Sequence, residues 1–234
     1  MVIAGIVAGG SGRRMGGDIP KQFYDLNGKP VIIYTTEAFL NHENIDCIII
    51  GINPDWADYT KELIKKYFPD NENIFITNGG SDRNGTIMNM ISFAYKKLSC
   101  DDKDIILTHD AVRPFVSREI ISESITKMNE CEICTAAIPE TDTVIESDDG
   151  KTALAFPDRS RIFRVQTPQT FRFGTFSAVY GSLSESERAA ATDVCRLYKS
   201  KGYNVSLING DPSNIKLTYP HDYRFAQAQT DNKA

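Results

Sequence analysis

Apolar residues along this 234-residue chain fall into two alternating rhythms. Short, nearly continuous apolar runs at 2–8, 45–52, 74–77, 104–108, 133–138 and 204–208 predict strands buried on both faces. Between them, apolar stripes at helical spacing predict helices over 30–40, 55–68, 83–98, 120–128, 173–183 and 185–201. In the third of these, Ile87, Ile91, Ala94 and Leu98 form the buried stripe. Alternation of this kind predicts an α/β fold: a Rossmann-like, mostly parallel twisted sheet with helices on both faces. In such sheets ligands bind beyond the carboxyl ends of the strands.

One stretch breaks the rhythm. Residues 141–146 and 152–156 read as the two strands of a hairpin, turned by Asp148-Asp-Gly150 and continuing through Asp158-Arg-Ser-Arg161 to 162–165. A hairpin cannot serve as a crossover between parallel strands, so residues 139–164 are expected to project as a β-arm from a single domain spanning 1–234. A lone two-stranded ribbon is marginal in water, which predicts that the arm packs on a second subunit. Residues 229–234 read as a frayed polar tail.

Composition narrows the partners. Apolar residues make up 41% of the chain, enough for a real core, and the net charge of −5 argues against a nucleic-acid or anionic-membrane partner. No apolar run approaches the ~18 residues of a membrane span. The first apolar run lacks a basic leader and is followed by Arg13-Arg14, so a cytoplasmic location is expected. Five scattered cysteines form no disulfide framework. Cys131 and Cys134 have CxxC spacing, but on a strand residues three apart face opposite ways, which predicts plain core or edge cysteines.

Candidate chemistry concentrates at the start. The first run empties into Ala8-Gly-Gly-Ser-Gly-Arg-Arg-Met15, with Pro20-Lys-Gln22 close behind. Gly9, Gly10 and Gly12 let backbone N–H groups approach a ligand, while Arg13, Arg14 and Lys21 add positive charge. Met15 stands where the dinucleotide fingerprint wants its third glycine, and no Gly-Lys-Ser/Thr completes a P-loop. A polyphosphate site or a glycine turn with solvated cations remains. Asp110, in Thr108-His-Asp-Ala-Val-Arg-Pro-Phe115, ends a strand where it would hold Mg²⁺ or cap a loop. His109 reads as structural, and Arg113 as a brace for its loop. Gly79-Gly-Ser-Asp-Arg-Asn-Gly-Thr86 opens a helix, as an anion or base site or as an ordinary cap. Lys216 falls in a short expected strand near a final helix opened by proline.

Taken together, Ala8-Gly-Gly-Ser-Gly-Arg-Arg-Met, Pro20-Lys-Gln, Gly79-Gly with Arg83, His109-Asp-Ala-Val-Arg-Pro, Asp142-Thr, Gln166-Thr-Pro-Gln-Thr-Phe and Asn214-Ile-Lys-Leu-Thr resemble the cytidylyltransferases of sugar-alcohol phosphates, in family order from residue 2 to about 228. The resemblance implies transfer of a cytidylyl group from CTP to a polyol phosphate, with release of pyrophosphate and help from Mg²⁺. It implies that Arg14 and Lys21 grip the triphosphate and Lys216 the α-phosphate. Ala8, Gly9, Gly10, Gly12, Gly80, Ser81, Arg83 and Thr86 would shape the CTP pocket, and Asp110 would hold the metal. Thr143 and Arg159 would bind the polyol phosphate, donated from the arm of one protomer to its partner in a homodimer.

Val112 and the stretch from Pro212 to Thr218 look more like the branch acting on D-ribitol 5-phosphate for a surface polymer. The alternative is the branch acting on 2-C-methyl-D-erythritol 4-phosphate in isoprenoid synthesis. That branch often carries an acid where this chain has Ser213, which would leave Asp110 more of the metal to hold. A hexose-1-phosphate nucleotidyltransferase and a non-catalytic nucleotide sensor are further rivals. The Gln-Thr-Pro-Gln and Asn-Ile-Lys segments weaken the first, and retention of Arg14, Lys21, Asp110 and Lys216 together weakens the second.

Overall fold

The computed structural model describes residues 1–10, 19–191 and 193–231. In chain order the elements are β1 (Val2–Ala8), the short pair β2 (Asp25–Leu26) and β3 (Lys29–Pro30), α1 (Val31–Leu40), β4 (Cys47–Ile52), α2 (Ala57–Tyr67), β5 (Ile74–Asn78) and α3 (Arg83–Lys97). There follow β6 (Ile105–Asp110), α4 (Arg118–Lys127), β7 (Ile133–Pro139), β8 (Phe163–Arg172), α5 (Phe173–Gly181), α6 (Glu185–Ala190), α7 (Val194–Ser200), β9 (Ser206–Asn209) and α8 (Pro220–Asp231).

Seven strands form the central sheet in the order β5-β4-β1-β6-β8-β7-β9. Alternation along each strand sends side chains to opposite faces. Ala4, Ile6, Ile48 and Ile50 pack under Ile32, Ile33 and Phe39 of α1 and against α2 and α4. Ile3 and Ile49 pack on the other face against Ile87, Met90 and Ile91 of α3, with Phe173, Phe176 and Leu197 closing that layer. The two-faced burial is why these strands read as continuous apolar runs.

Neighbours of β1 and β4 are parallel, as is β7–β9. The exception is β8, which runs antiparallel to both β6 and β7. This ten-residue strand is absent from the sequence expectation, where 162–165 merely ended a hairpin. Its interior holds Gln166, Thr167 and Pro168 in place of an apolar run, and a proline cannot donate to a ladder. The structure accommodates it where the β7–β8 register slips: Ala137 pairs with Val165 but Thr135 pairs with Gln169. The extra residues bulge out of the ladder toward the carboxyl end of β6.

Four further expectations are corrected. The stretch 185–201 splits into α6 and α7, with Asp193 capping α7 through its side chain on the Cys195 and Arg196 amides. Residues 141–156 are a ribbon closed by one antiparallel bridge, Glu146 to Ala155, without regular strands. Residues 229–231 belong to α8 and do not fray. Cys131 precedes β7, so the strand geometry does not apply to it. Both Cys131 and Cys134 face α4, on the carbonyls of Lys127 and Ser124. They remain ordinary cysteines, and burial pushes the Cys134 thiol up to about 12.

Candidate active site

The chain leaves β1 for β4 and β5 on one side and then returns to β6 on the other, so strand order reverses between β1 and β6. Val7 pairs with Asp110 across this gap. A cleft of about 520 Å³ opens at the carboxyl ends of the two strands, where such sheets place ligands. Its rim is built from Ala8, Gly9 and Gly10 after β1, and from Lys21 and Gln22 on the following turn. Gly80, Ser81, Arg83 and Thr86 contribute from the start of α3, Asp110 from the end of β6, and Lys216 from the loop after β9. Gly12 and Arg14 lie outside the described residues.

The glycine turn and the start of α3 are pinned by short-range chemistry. Gln22 Nε2 donates to the Ala8 carbonyl at 2.7 Å, fixing the path out of β1. Asp82 caps α3 by accepting from the Gly85 amide at 2.8 Å. The ordinary-cap reading of this turn is therefore correct, and the same turn also lines the cleft. Thr86 Oγ1 accepts from the Gly80 amide at 3.0 Å. A Cβ on Gly80 would meet the Gly85 carbonyl carbon at 2.5 Å, so only glycine brings the loop this close to the helix end.

Asp110 is the electrostatic centre. Arg83 Nη1 donates to its Oδ1 at 3.0 Å, while Lys216 Nζ lies 2.8 Å and Arg113 Nε 3.4 Å from its Oδ2. Burial alone would raise the Asp110 carboxyl, but Arg83, Lys216 and Arg113 together hold it well below the usual carboxylate range. Three cations against one carboxylate leave the group a net acceptor for anions. Lys216 is in an extended loop, not the expected short strand. Arg113 does brace its loop, giving Nη1 to the Asn214 carbonyl at 2.6 Å, but it also enters this charge cluster.

His109 is fully buried and structural. Its Nε2–H donates to the Arg113 carbonyl at 3.0 Å, and Nδ1 accepts from Thr167 Oγ1 at 3.0 Å. Burial pushes the imidazole down to about 4, so it stays neutral. Thr167 Oγ1 in turn accepts from the Asp110 amide at 3.2 Å. Gln169, also buried, accepts from Arg83 Nη2 at 3.3 Å and donates to Asp193 at 2.7 Å. Arg113, Thr167 and Gln169 are absent from the sequence-derived site, although all three belong to motifs it singled out. Their adjacency to Asp110 depends on β8 lying beside β6.

Thr143 and Arg159 are exposed and do not line this cleft. Arg159 Nη1 donates to the Thr141 carbonyl at 2.7 Å within the arm. Asp211, the acid nearest Ser213, is engaged in a turn, its Oδ1 accepting from the Ser213 amide and hydroxyl at 2.7 Å each. Among the described residues neither histidine nor cysteine lines the cleft, and none gather three or more acids, histidines or cysteines as a metal cage.

Cations gathered on glycine backbone at a strand-order reversal suit phosphates. Fold and cleft together define a nucleotidyltransferase. Comparison with known proteins narrows this: the chain belongs to the 2-C-methyl-D-erythritol 4-phosphate cytidylyltransferase family, which matches residues 2–231. It is 39% identical over 97% of its length to a ribitol-5-phosphate cytidylyltransferase of Streptococcus pneumoniae serotype 2, of which 98% is covered. Among solved structures, a 4-diphosphocytidyl-2C-methyl-D-erythritol synthase of Anaerococcus prevotii superposes with a TM-score of 0.80 at 28% identity, covering 99% of this chain and 96% of that one. The Francisella tularensis 2-C-methyl-D-erythritol 4-phosphate cytidylyltransferase follows at 0.78 and 25%, covering 97% and 99%. The protein is a CTP-using cytidylyltransferase with a seven-stranded, mostly parallel sheet.

Proposed function

We propose that this enzyme transfers the cytidylyl group of CTP to D-ribitol 5-phosphate, giving CDP-ribitol and pyrophosphate for a surface polymer. The observation that carries the substrate is near-full-length similarity to the pneumococcal ribitol-5-phosphate enzymes. A phosphate monoester has a second pKa of roughly 6, so its oxygen is already an anionic nucleophile at neutral pH. It attacks the α-phosphorus of CTP, and the bond from that phosphorus to the bridging oxygen of pyrophosphate breaks. No general base is needed. The reaction needs in-line placement and neutralisation of charge, which a cation-lined cleft supplies.

In this reading Arg14 and Lys21 grip the triphosphate, Lys216 faces the α-phosphate, and Ala8, Gly9, Gly10, Gly80, Ser81, Arg83 and Thr86 shape the nucleotide pocket. Asp110 is the carboxylate we assign to Mg²⁺: its oxygens already take Arg83, Lys216 and Arg113, so the ion would share them with these cations and draw its remaining oxygens from phosphate and water. When bound there, Mg²⁺ would offset charge on the phosphates.

The active unit is a homodimer joined by the arm, with Thr143 and Arg159 reaching the partner's polyol phosphate. Leu154 and Phe156 on the arm are 65% and 69% exposed, an apolar surface that a second subunit would bury. No helix among the described residues is long and apolar enough to cross a membrane, and the five cysteines are free thiols. We place the enzyme in the cytoplasm, where free thiols persist. With CTP and Mg²⁺, D-ribitol 5-phosphate and 2-C-methyl-D-erythritol 4-phosphate at equal concentration should yield chiefly CDP-ribitol by mass spectrometry. Dominance of the methylerythritol product would move the assignment to isoprenoid synthesis and leave the mechanism standing.

A further inference from the structure

We propose that Gln166 is a positioning residue for Lys216. The inference rests on the reading that Lys216 acts on the α-phosphate. Lys216 sits in the loop between β9 and α8, a stretch with no ladder of its own. Pro212 has no N–H, so β9 cannot continue its ladder with β7 through this loop. Backbone groups there still need partners, and a side chain provides them.

Gln166 is 5% exposed at the bulge of β8. Its Nε2 donates to the Asp211 carbonyl at 2.8 Å, and its Oε1 accepts from the Asp211 amide at 3.2 Å and from Asn214 Nδ2 at 3.3 Å. One carboxamide thus pairs with both backbone groups of Asp211, as a neighbouring strand would. Gly210 allows this approach, since a Cβ there would meet Gln166 Oε1 at 2.6 Å. Asn214 is fully buried and carries the restraint forward, donating from Nδ2 to the Thr167 carbonyl at 2.8 Å.

Downstream of Lys216, the Leu217 amide donates to the Val112 carbonyl at 2.9 Å and the Leu217 side chain is buried. Lys216 is therefore held between two anchors. The Val112 anchor is tied to the strand bearing Asp110, and the Gln166 anchor fixes the approach from the other side. With both in place, Nζ stands 2.8 Å from Asp110 Oδ2. Removal of the carboxamide leaves the backbone of Asp211 to find other partners and lets the lysine drift. Misplacement on the scale of an ångström can cost a reaction about 10²-fold.

A double-mutant cycle on the full-length enzyme tests this, read as pyrophosphate release at saturating CTP and D-ribitol 5-phosphate. Gln166→Met should lower kcat about 10-fold or more while the far-UV spectrum and Tm show a folded protein. In a Lys216→Ala background the same change should lower kcat less than about twofold, because residues acting through one another are not additive. An equal loss in both backgrounds overturns the proposal, since a general structural role slows both proteins alike. Should Gln166→Met fail to fold, Gln166→Glu keeps the length and the Oε1 acceptor while losing the donor to Asp211, and the same non-additivity is expected. If Lys216→Ala turns over at the wild-type rate, the reading of Lys216 itself fails, a result distinct from additivity with an impaired Lys216→Ala enzyme.

Discussion

Lys216 Nζ lies 2.8 Å from Asp110 Oδ2, in a cleft where Arg83 takes the other carboxylate oxygen. The pair is far apart in sequence: Asp110, near the middle of the chain, closes a strand of the sheet, and Lys216 rides on an irregular loop near the last helix. A strand end is rigid and a loop is not, so the carboxylate is the fixed point on which the cations are aligned. In the function proposed above, the same cations turn their charge on an entering triphosphate. They are already oriented, so little reorganisation is required, and preorganised charge is the largest single contribution in most active sites.

Single cations should therefore be worth much to turnover and little to folding. Lys21→Ala, Arg14→Ala and Lys216→Ala are each expected to lower CTP turnover by about 10²-fold or more with Tm close to wild type. Pyrophosphate release from the purified variants measures this. A variant with near-normal turnover would remove its residue from the catalytic set.

Asp110 has two duties, aligning cations and, as we propose, anchoring Mg²⁺. Activity is expected to vanish with EDTA and to return with Mg²⁺. Asp110→Asn should need far more metal to reach half of its own maximum, because the hard anionic ligand is gone. The magnesium titration separates the duties: a lower maximum at unchanged metal demand would leave Asp110 with alignment alone.

His109 makes folding stability depend on pH. Its folded value of about 4 lies below the ordinary 6.5, because burial disfavours the imidazolium. Between these values the unfolded chain binds a proton that the native protein does not, so stability falls as pH drops from 6.5 toward 4, by up to ~1.4 kcal/mol per pH unit. His42, also pushed down by burial, adds in the same direction. Asp110 acts only below the ordinary carboxylate range. Urea midpoints measured from pH 7 to 4.5 should fall steeply for wild type and less steeply for His109→Gln. Parallel slopes would mean that His109 is not buried neutral.

The parallel half of the sheet is legible in the chain because its strands are buried on both faces, and their apolar runs are unbroken. The glycine loop, Asp110 and the start of α3 are legible for a related reason: each sits at the end of such a run, where a ligand site belongs. β8 is hidden by its own function. Gln166, Thr167 and Gln169 spend a central strand on hydrogen bonds to Asp211, His109 and Arg83, so its pattern is polar, and Pro168 hides it further. Arg113 illustrates a second limit. Its spacing from Asp110 is plain, but its bond to the Asn214 carbonyl spans 101 residues of sequence and follows only from the folded topology.

The arm offers the sharpest remaining test. Arg159 is exposed and lies outside the cleft of its own chain, held by the Thr141 carbonyl. If it serves the site of the partner subunit, each active site is composite: Lys21 comes from one protomer and Arg159 from the other. Lys21→Ala and Arg159→Ala enzymes should both be nearly inactive alone, one lacking a triphosphate grip and the other a polyol-phosphate grip. In a heterodimer of the two, one site inherits both defects and the other inherits neither. Mixing the proteins under conditions of subunit exchange should then restore a substantial fraction of wild-type turnover, approaching one quarter of it, since about half of random dimers are mixed and each carries one intact site. Exchange is confirmed independently with differently tagged subunits. Absence of recovery after confirmed exchange would place Arg159 in its own subunit's site or outside the chemistry, and the arm would then have to be explained by assembly alone.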